Sequence, residues 1–443
     1  MLLPYVEDPL PLLARLRTHG HPVLLHGADR AHPASRHDVL AAGPEAVLTA
    51  RSGRAFLDRG DGPQPPPRPP LAALATLQAQ LPAPVSGHGP FGGGLLGLAG
   101  YDLGRALLRA PGQLVADHEF PDLVAGVYPW ALVTDHRHRR SELVVLPGRT
   151  CPAEIRALLG EAHRLPPVRP APPPRLLAET SRRGHRDACA RILAYLHAGD
   201  CYQVNLAVRF AGHTRADPLA LYAGLLRRQP APFGAFLETP AGAVLSFSPE
   251  RFLRIDGGGV ETRPIKGTRA RDADPHRDRA ARRALLASAK DRAENLMIVD
   301  LLRNDLGRSC RPGSVTAPAL FRPERFQAVH HLVSVVRGEL APGVGPVDAF
   351  AAAFPGGSVT GAPKIRAMDV IEELEDARRG PYCGSFLLAD GAGRLDSSIA
   401  IRTLLHTDGR LLCWGGGGIV ADSEPDAEWA EIHHKVGSLV CGP

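Results

Sequence analysis

The chain has 443 residues, 44% hydrophobic and 22% charged, enough for a large buried core in one large domain or in two or three ordinary ones. Its formal charge is +6, from 52 basic and 46 acidic residues, with 5% aromatics and no long Lys/Arg block. That balance argues against a nucleic-acid-binding surface and leaves room for a local basic pocket that takes an anionic substrate.

Residues 1–165 alternate apolar runs with loops, and 61–70 (DGPQPPPRPP) read as a Pro-rich linker or surface loop. A second such stretch, 165–175 (LPPVRPAPPPR), predicts a boundary between an N-terminal region, 1–170, and a C-terminal region, 177–443. Beyond it the elements lengthen. HRDACARILAYLHAGD (185–200) predicts an amphipathic helix ending near Gly199, and QVNLAVRF (203–210) a half-buried strand. AVLSF and RFLRI, on either side of SPE, predict a strand pair. Residues 291–307 read as a helix, and 362–380 as a helix with Pro363 near its start and Gly380 past its end. CGSFLLAD, SSIAIRTLLH and RLLCWGGGGIVA each read as a strand, and EPDAEWAEIHHKVGSLV as a closing helix. Strands and helices mix without regular alternation and no repeat is visible, which predicts α+β with large antiparallel sheets rather than a doubly wound fold.

Seven scattered cysteines without a CxxC pair argue against a disulfide framework and a structural zinc site. No apolar run approaches a membrane span, and the first twenty residues lack the basic opening and apolar run of a signal peptide. A cytoplasmic address is expected.

Three glycine-rich stretches invite a ligand reading. Gly92, Gly94 and Gly97 fit GxGxxG, but no acidic residue ends a second strand at the spacing a dinucleotide site needs, so close backbone packing is the better reading. GGSVTGAPK (356–364) nearly fits a phosphate loop, yet Pro363 removes an amide that a phosphate nest requires. Gly415 to Gly418 cost backbone entropy, so either a ligand or another chain segment approaches closely there or the run forms a bulge. Glu428 and Glu431 share one helix face. They read either as solvated charges or, with Glu294 from an otherwise apolar helix, as partners of Mg²⁺, which takes few protein ligands and keeps waters.

Only four of the 52 basic residues are lysines: Lys266, Lys290, Lys364 and Lys435. Lysine can lose its proton and attack, whereas arginine effectively cannot. Lys266, in ETRPIKGTRAR, sits between a rigid Pro264 entry and the small Gly267. The flanking Arg263 and Arg269 are expected to favour its neutral amine by like-charge repulsion. A plain surface lysine is the alternative.

These residues belong to longer motifs: AGDCYQVNL, SPERF, ETRPIKGT, DRAENLMIVDLLRNDLGR, VHHLVS, FPGGSVTGAPK, DSSIAIRT, GGGIVADS and EIHHK, nearly unbroken from about 180 to the end. FGGGLLGLAGYDLGR and FPDLVAG extend the likeness to the N-terminal part. The chain resembles the chorismate-utilising enzymes, and within them the aminodeoxychorismate synthase component I group. The resemblance implies one intertwined α+β unit of two large, mostly antiparallel sheets packed together with helices outside. It implies that Lys266 attacks C2 of chorismate, that Glu250 protonates the leaving C4 hydroxyl, and that ammonia then adds at C4. It further implies Mg²⁺ held by Glu294 and Glu431 with Glu428 nearby. Arg402, Lys435 and the amides of Gly416, Gly417 and Gly418 would meet chorismate's carboxylates, and Gln203, Thr268, His331, Thr360 and Tyr382 would line the pocket. Anthranilate synthase carries a small residue in place of Lys266, and water-adding relatives carry a Lys in place of Gln203, so both activities are disfavoured. A non-catalytic chorismate- or tryptophan-binding regulator is a third reading, against which the intact acid, metal and nucleophile positions speak. Ammonia is expected from a separate glutamine amidotransferase subunit (component II, PabA type), because the resemblance consumes nearly all of the chain. One departure stands out: Gly27 replaces the Ser that follows LLH in relatives, where it lines a small N-terminal pocket that can hold tryptophan.

Overall fold

Apolar runs such as Leu123–Tyr128 and Trp130–Asp135 are buried along their whole length. That is the pattern of strands covered on both faces, by a second sheet on one side and by helices on the other. The computed structural model describes residues 1–66, 68–84, 89–108, 114–326 and 329–440; Pro67, within the Pro-rich 61–70 stretch, and Cys441 lie outside the described residues. Among the described residues the strands form one sheet of 12 and one of 11, and every pairing between them is antiparallel. The largest hydrophobic core draws on both sheets, with Val23 and Val244 from the first and Leu98, Phe252 and Leu387 from the second.

Both sheets take strands from either side of the 165–175 stretch. The first holds Val23–His26 and Trp130–Asp135 together with Gly242–Ser248 and Arg410–Ile419; the second holds Gly94–Ala99 and Leu123–Tyr128 together with Ser385–Ala389 and Leu395–Ile399. Gly94 and Gly97 lie on the strand Gly94–Ala99 in the second sheet, and a Cβ on Gly97 would lie 2.2 Å from the Val124 carbonyl oxygen. Close backbone packing is therefore the reason for that glycine.

Three sequence expectations are corrected. The two runs around SPE are strands, but they do not pair with each other. Gly242–Ser248 lies in the first sheet and Arg251–Asp256 in the second, so residues 249–250 carry the chain across from one sheet to the other. SSIAIRTLLH is two strands, Leu395–Ile399 in the second sheet and Thr403–Thr407 in the first, joined by a second crossing at residues 400–402. Arg402 turns that corner with a positive φ of 51°, which alternation of apolar residues cannot foretell. The helix expected over 362–380 spans Lys364–Leu374 only. Glu375 leaves it in an extended conformation, accepts from the Ala207 amide at 2.8 Å and binds Arg379.

The two crossings lie side by side. The Ser248 hydroxyl donates to the Ile399 carbonyl at 2.5 Å, the Phe247 amide to the Arg402 carbonyl at 3.0 Å, and the Ile399 amide to the Glu250 carbonyl at 3.1 Å. Polar side chains are thereby brought to the seam between two otherwise apolar sheets.

Candidate active site

Glu250 sits on the first crossing and is 7% exposed. Burial pushes its carboxyl up to about 7; the amine of Lys266, the Ser358 hydroxyl and the Ile265 amide pull the other way without reversing the shift. Lys266 lies on Ile265–Ala270, an end strand of the second sheet, paired with Leu332 of Val329–Glu339. The pairing slips by one residue between Lys266 and Thr268, at Gly267, whose φ is +79°. A Cβ there would lie 3.0 Å from both Asp291 and Leu285, so glycine lets two helices close on the lysine strand. Lys266 is half-buried, and its amine has no hydrogen-bond or ion-pair partner among the described residues. Burial lowers its pKa and Lys435 adds to that; Glu294, Glu250 and Glu431 act against it. The repulsion expected from Arg263 and Arg269 is not what the structure supplies. Arg263 pairs with Glu324 and Glu261, and Arg269 with Asp291 at 2.8 Å.

The final helix, Pro425–Val436, brings Glu428, Glu431 and Lys435 against the glycine run. The run is no bulge: its register with Gln203–His213 is unbroken from Ile419 to Arg410. What approaches is side chains. A Cβ on Gly417 would sit 2.9 Å from Glu428 Oε2, one on Gly418 3.0 Å from the Gln203 amide, and one on Gly416 3.1 Å from the Tyr382 hydroxyl. The neighbouring Thr403–Thr407 strand stops pairing at Cys413, so alternate amides beyond it face an open edge. Lys435 spans Glu431 Oε1 at 2.6 Å and the Gly416 carbonyl at 3.0 Å. Glu294, on Ala289–Gly307, is pushed up by burial, and Asp291 and Glu431 add to this. Glu428 is likewise pushed up by burial, with Glu431 adding, though Ser423 donates to it at 2.7 Å. At Glu431 burial is outweighed, chiefly by Lys435, and its carboxyl lies below the usual range. Among the described residues no three His, Cys, Asp or Glu side chains converge as a ready-made metal cage. The donors are oxygens only, and two of the three carboxyls are pushed toward the neutral form. A hard divalent cation that takes few protein ligands fits such a set.

The remaining expected residues surround this centre unequally. Gln203 is 1% exposed and its Nε2 has no acceptor. Arg402 has no carboxylate partner among the described residues, and burial lowers its pKa. His331 accepts or donates at 2.9 Å with Thr268 Oγ1. Burial, then Arg402, hold it down to about 4, so it is a neutral imidazole near pH 7. Thr268 itself is exposed. Thr360 is fully buried and its hydroxyl already donates to the Gly356 and Gly357 carbonyls, at 3.1 and 3.3 Å. It shapes the loop rather than offering a free donor. Tyr382 is buried in a stack on Trp414, 6.1 Å between ring centres. Sequence reasoning missed Ser358, whose hydroxyl reaches Glu250 Oε1 at 3.4 Å; only its place in a motif next to the acid could have marked it.

A cavity of about 1230 Å³ is a different space. Its lining includes Pro249, Arg251 and Ile265, the sequence neighbours of Glu250 and Lys266. Successive strand residues face opposite ways, so this cavity backs onto the strand that carries the lysine. It also includes Gly27, where a Cβ would lie 2.7 Å from the Ser35 Cα. A serine would not fit here unless that turn moved.

Comparison with known proteins places this geometry. The chain is 45% identical to the aminodeoxychorismate synthase component 1 of Klebsiella aerogenes over 434 residues, covering 94% of this chain and 92% of that protein. It is 38% identical to the anthranilate synthase component 1 of Thermus thermophilus, over 94% and 91%. The crystal structure of anthranilate synthase component I from Streptococcus pneumoniae TIGR4 superposes with a TM-score of 0.79 at 30% identity, covering 93% of each chain. A family model described as chorismate binding enzyme matches residues 22–440. The chain belongs to the chorismate binding enzyme family.

Proposed function

We propose that this chain aminates chorismate at C4, as an aminodeoxychorismate synthase component 1, giving 4-amino-4-deoxychorismate for 4-aminobenzoate and folate synthesis. The observation that carries it is Lys266: an amine without a hydrogen-bond or ion-pair partner among the described residues, its pKa lowered, near a carboxyl whose pKa is about 7. Burial moves the nucleophile toward its neutral form and the acid toward its protonated form, the direction that each role needs. The neutral amine adds to C2, both ring double bonds shift by one position, and the C4 hydroxyl leaves as water with the proton from Glu250. Ammonia adds at C4, both double bonds shift back, the C2–N bond breaks, and Lys266 is released. Arg402 and Lys435, with the open-edge amides of the glycine run, bind the carboxylates. Gln203 Nε2 supplies a donor but no base, which leaves water unactivated at C2.

Glu294, Glu431 and Glu428 would hold Mg²⁺, which when bound neutralises a substrate carboxylate and fixes the ring. The name component 1 of the relatives implies a partner component, and in this reading the partner is a separate glutamine amidotransferase of the PabA type that supplies the ammonia. No helix of the described residues is long and apolar enough to cross a membrane, which accords with a cytoplasmic enzyme.

The test supplies purified protein with chorismate, Mg²⁺ and an ammonium salt. Aminodeoxychorismate, converted to 4-aminobenzoate by an added lyase, is the expected product. Fluorescent anthranilate as the main product would sink the assignment in favour of the lyase reading. EDTA is expected to abolish turnover and added Mg²⁺ to restore it.

A further inference from the structure

We propose that Ser358 is a positioning residue for the general acid: its hydroxyl donates to Glu250 Oε1 and so keeps the transferable proton on Oε2. The inference rests on the acid role given to Glu250 above. A carboxylic acid has two oxygens, and only one can face the leaving hydroxyl. A donor fixed on one oxygen makes that oxygen an acceptor and leaves the proton to the other. After transfer, the same donor stabilises the carboxylate that forms.

The structure spends many contacts on placing this hydroxyl. Ser358 is 9% exposed and its Oγ lies 3.4 Å from Oε1. The peptide of Glu250 is held from the other side, by Ser248 Oγ on its amide at 3.2 Å and by the Ile399 amide on its carbonyl. The loop that carries Ser358 is pinned before and after it. Arg379 donates to the Val359 carbonyl at 2.8 Å, and the Asn205 amide to the Thr360 carbonyl at 2.8 Å. Beyond them, Lys364 ties the loop's end to the Ala353 carbonyl at 2.6 Å and to Asp305 at 2.9 Å. Gly357 lies against Leu301 so closely that a Cβ would meet it at 2.5 Å. The other groups that act on the Glu250 carboxyl are the Lys266 amine and the Ile265 amide. The amide is fixed in the chain and the amine serves as nucleophile, which leaves Ser358 as the side chain free to orient the acid.

The experiment follows product formation from chorismate and ammonium against pH for the wild type and for Ser358→Ala, Ser358→Thr and Ser358→Cys, with unfolding midpoints measured in urea. Ser358→Ala is expected to lower kcat about tenfold, a loss within the range of one hydrogen bond to a charged group. KM for chorismate should stay within about twofold, as expected for an interaction that matters mainly in the transition state. The alkaline limb of kcat/KM should move to higher pH, because the donor that favours the carboxylate is gone. Ser358→Thr keeps the hydroxyl and should restore both. Ser358→Cys, close in size with a weaker donor, should fall between, and gives the same readout if the alanine variant does not fold. An unmoved alkaline limb in Ser358→Ala or Ser358→Cys overturns the proposal, as does failure of threonine to restore activity at an unchanged unfolding midpoint. Glu250→Gln, run in the same assay, separates this failure from that of the parent reading: full activity there removes the acid itself. A change of product to anthranilate would leave the Ser358 comparison readable, since that route also loses the C4 hydroxyl.

Discussion

Lys364 and Lys266 both have pKa values lowered by burial. Lys364 is held by the Asp305 carboxylate at 2.9 Å and the Ala353 carbonyl at 2.6 Å, at the joint between two helices. Lys266 has no such partner among the described residues, and the positive charge of Lys435 adds to the effect of burial. A buried ammonium with its charge matched is a structural part. A half-buried amine left unmatched is inclined to lose its proton and is free to form a bond. Lysine scarcity singled out both residues equally; only the environment separates them. Of the other two, Lys290 is exposed with Asp422 at 3.6 Å, and Lys435 lies 2.6 Å from Glu431.

That contrast predicts opposite variants. Lys266→Met should cut ammonium-dependent turnover by about 10³-fold or more, while the urea midpoint stays level or rises. Residual activity of about a tenth of wild type would mean that Lys266 is not the nucleophile. Lys364→Met leaves Asp305 buried without its cation and should cost about 3–5 kcal/mol of stability. Pairing it with Asp305→Leu should recover much of that in urea unfolding. A single Lys364→Met variant as stable as the wild type would erase the distinction between the two lysines.

The next effect is smaller and is read in pH. In the proposed acid role Glu250 must be protonated, and its pKa is raised to about 7. Activity is therefore present below that value and lost as pH rises through it. Lys266 must be neutral and its pKa is lowered, so activity falls on the acid side as the amine takes up a proton. A bell in kcat/KM is expected, with its alkaline limb near pH 7. Glu250→Gln should lower kcat by about 10²-fold and remove that limb. An alkaline limb that survives in Glu250→Gln would assign it to another group.

Much of this was legible in the chain. Period and composition located the Gln203–His213 and Arg410–Ile419 strands and the Ala289–Gly307 and Pro425–Val436 helices. The antiparallel α+β class followed from their irregular order. What the pattern could not give was partnership. AVLSF and RFLRI alternate as strands should, but alternation does not say which sheet a strand joins, so the crossing at Glu250 was invisible. The same holds for SSIAIRTLLH, broken at Arg402. The charge that acts on Lys266 was sought in its neighbours Arg263 and Arg269. They are engaged by acids of their own, while Lys435 arrives from the last helix. Long-range electrostatics belongs to the folded arrangement, and local sequence carries no signal of it.

The smallest predicted effect sets the surroundings of the two lysines apart. Residues 266–292 hold nine Lys and Arg against four Asp, so a formal excess of five sits in this segment, against +6 for the whole chain. Arg279, Arg282 and Arg283 are exposed on the helix Pro275–Ala287 without a carboxylate partner among the described residues. Leu285 of that helix packs on Gly267, next to Lys266. Chorismate carries two carboxylates, and a field of this sign raises its local concentration at the site. Screening shortens that reach to about 10 Å at 0.1 M salt and about 3 Å at 1 M. KM for chorismate should therefore rise about two- to threefold over that range, with kcat little changed, and Arg282→Ala with Arg283→Ala should flatten the dependence. The stability difference between Lys364→Met and the wild type should not follow salt, because a buried pair is screened far less than an exposed field. A KM indifferent to salt would mean that the arginine-rich helix does not act on the substrate. Salt sensitivity in the Lys364 difference would mean that its pair is more open to solvent than its burial indicates.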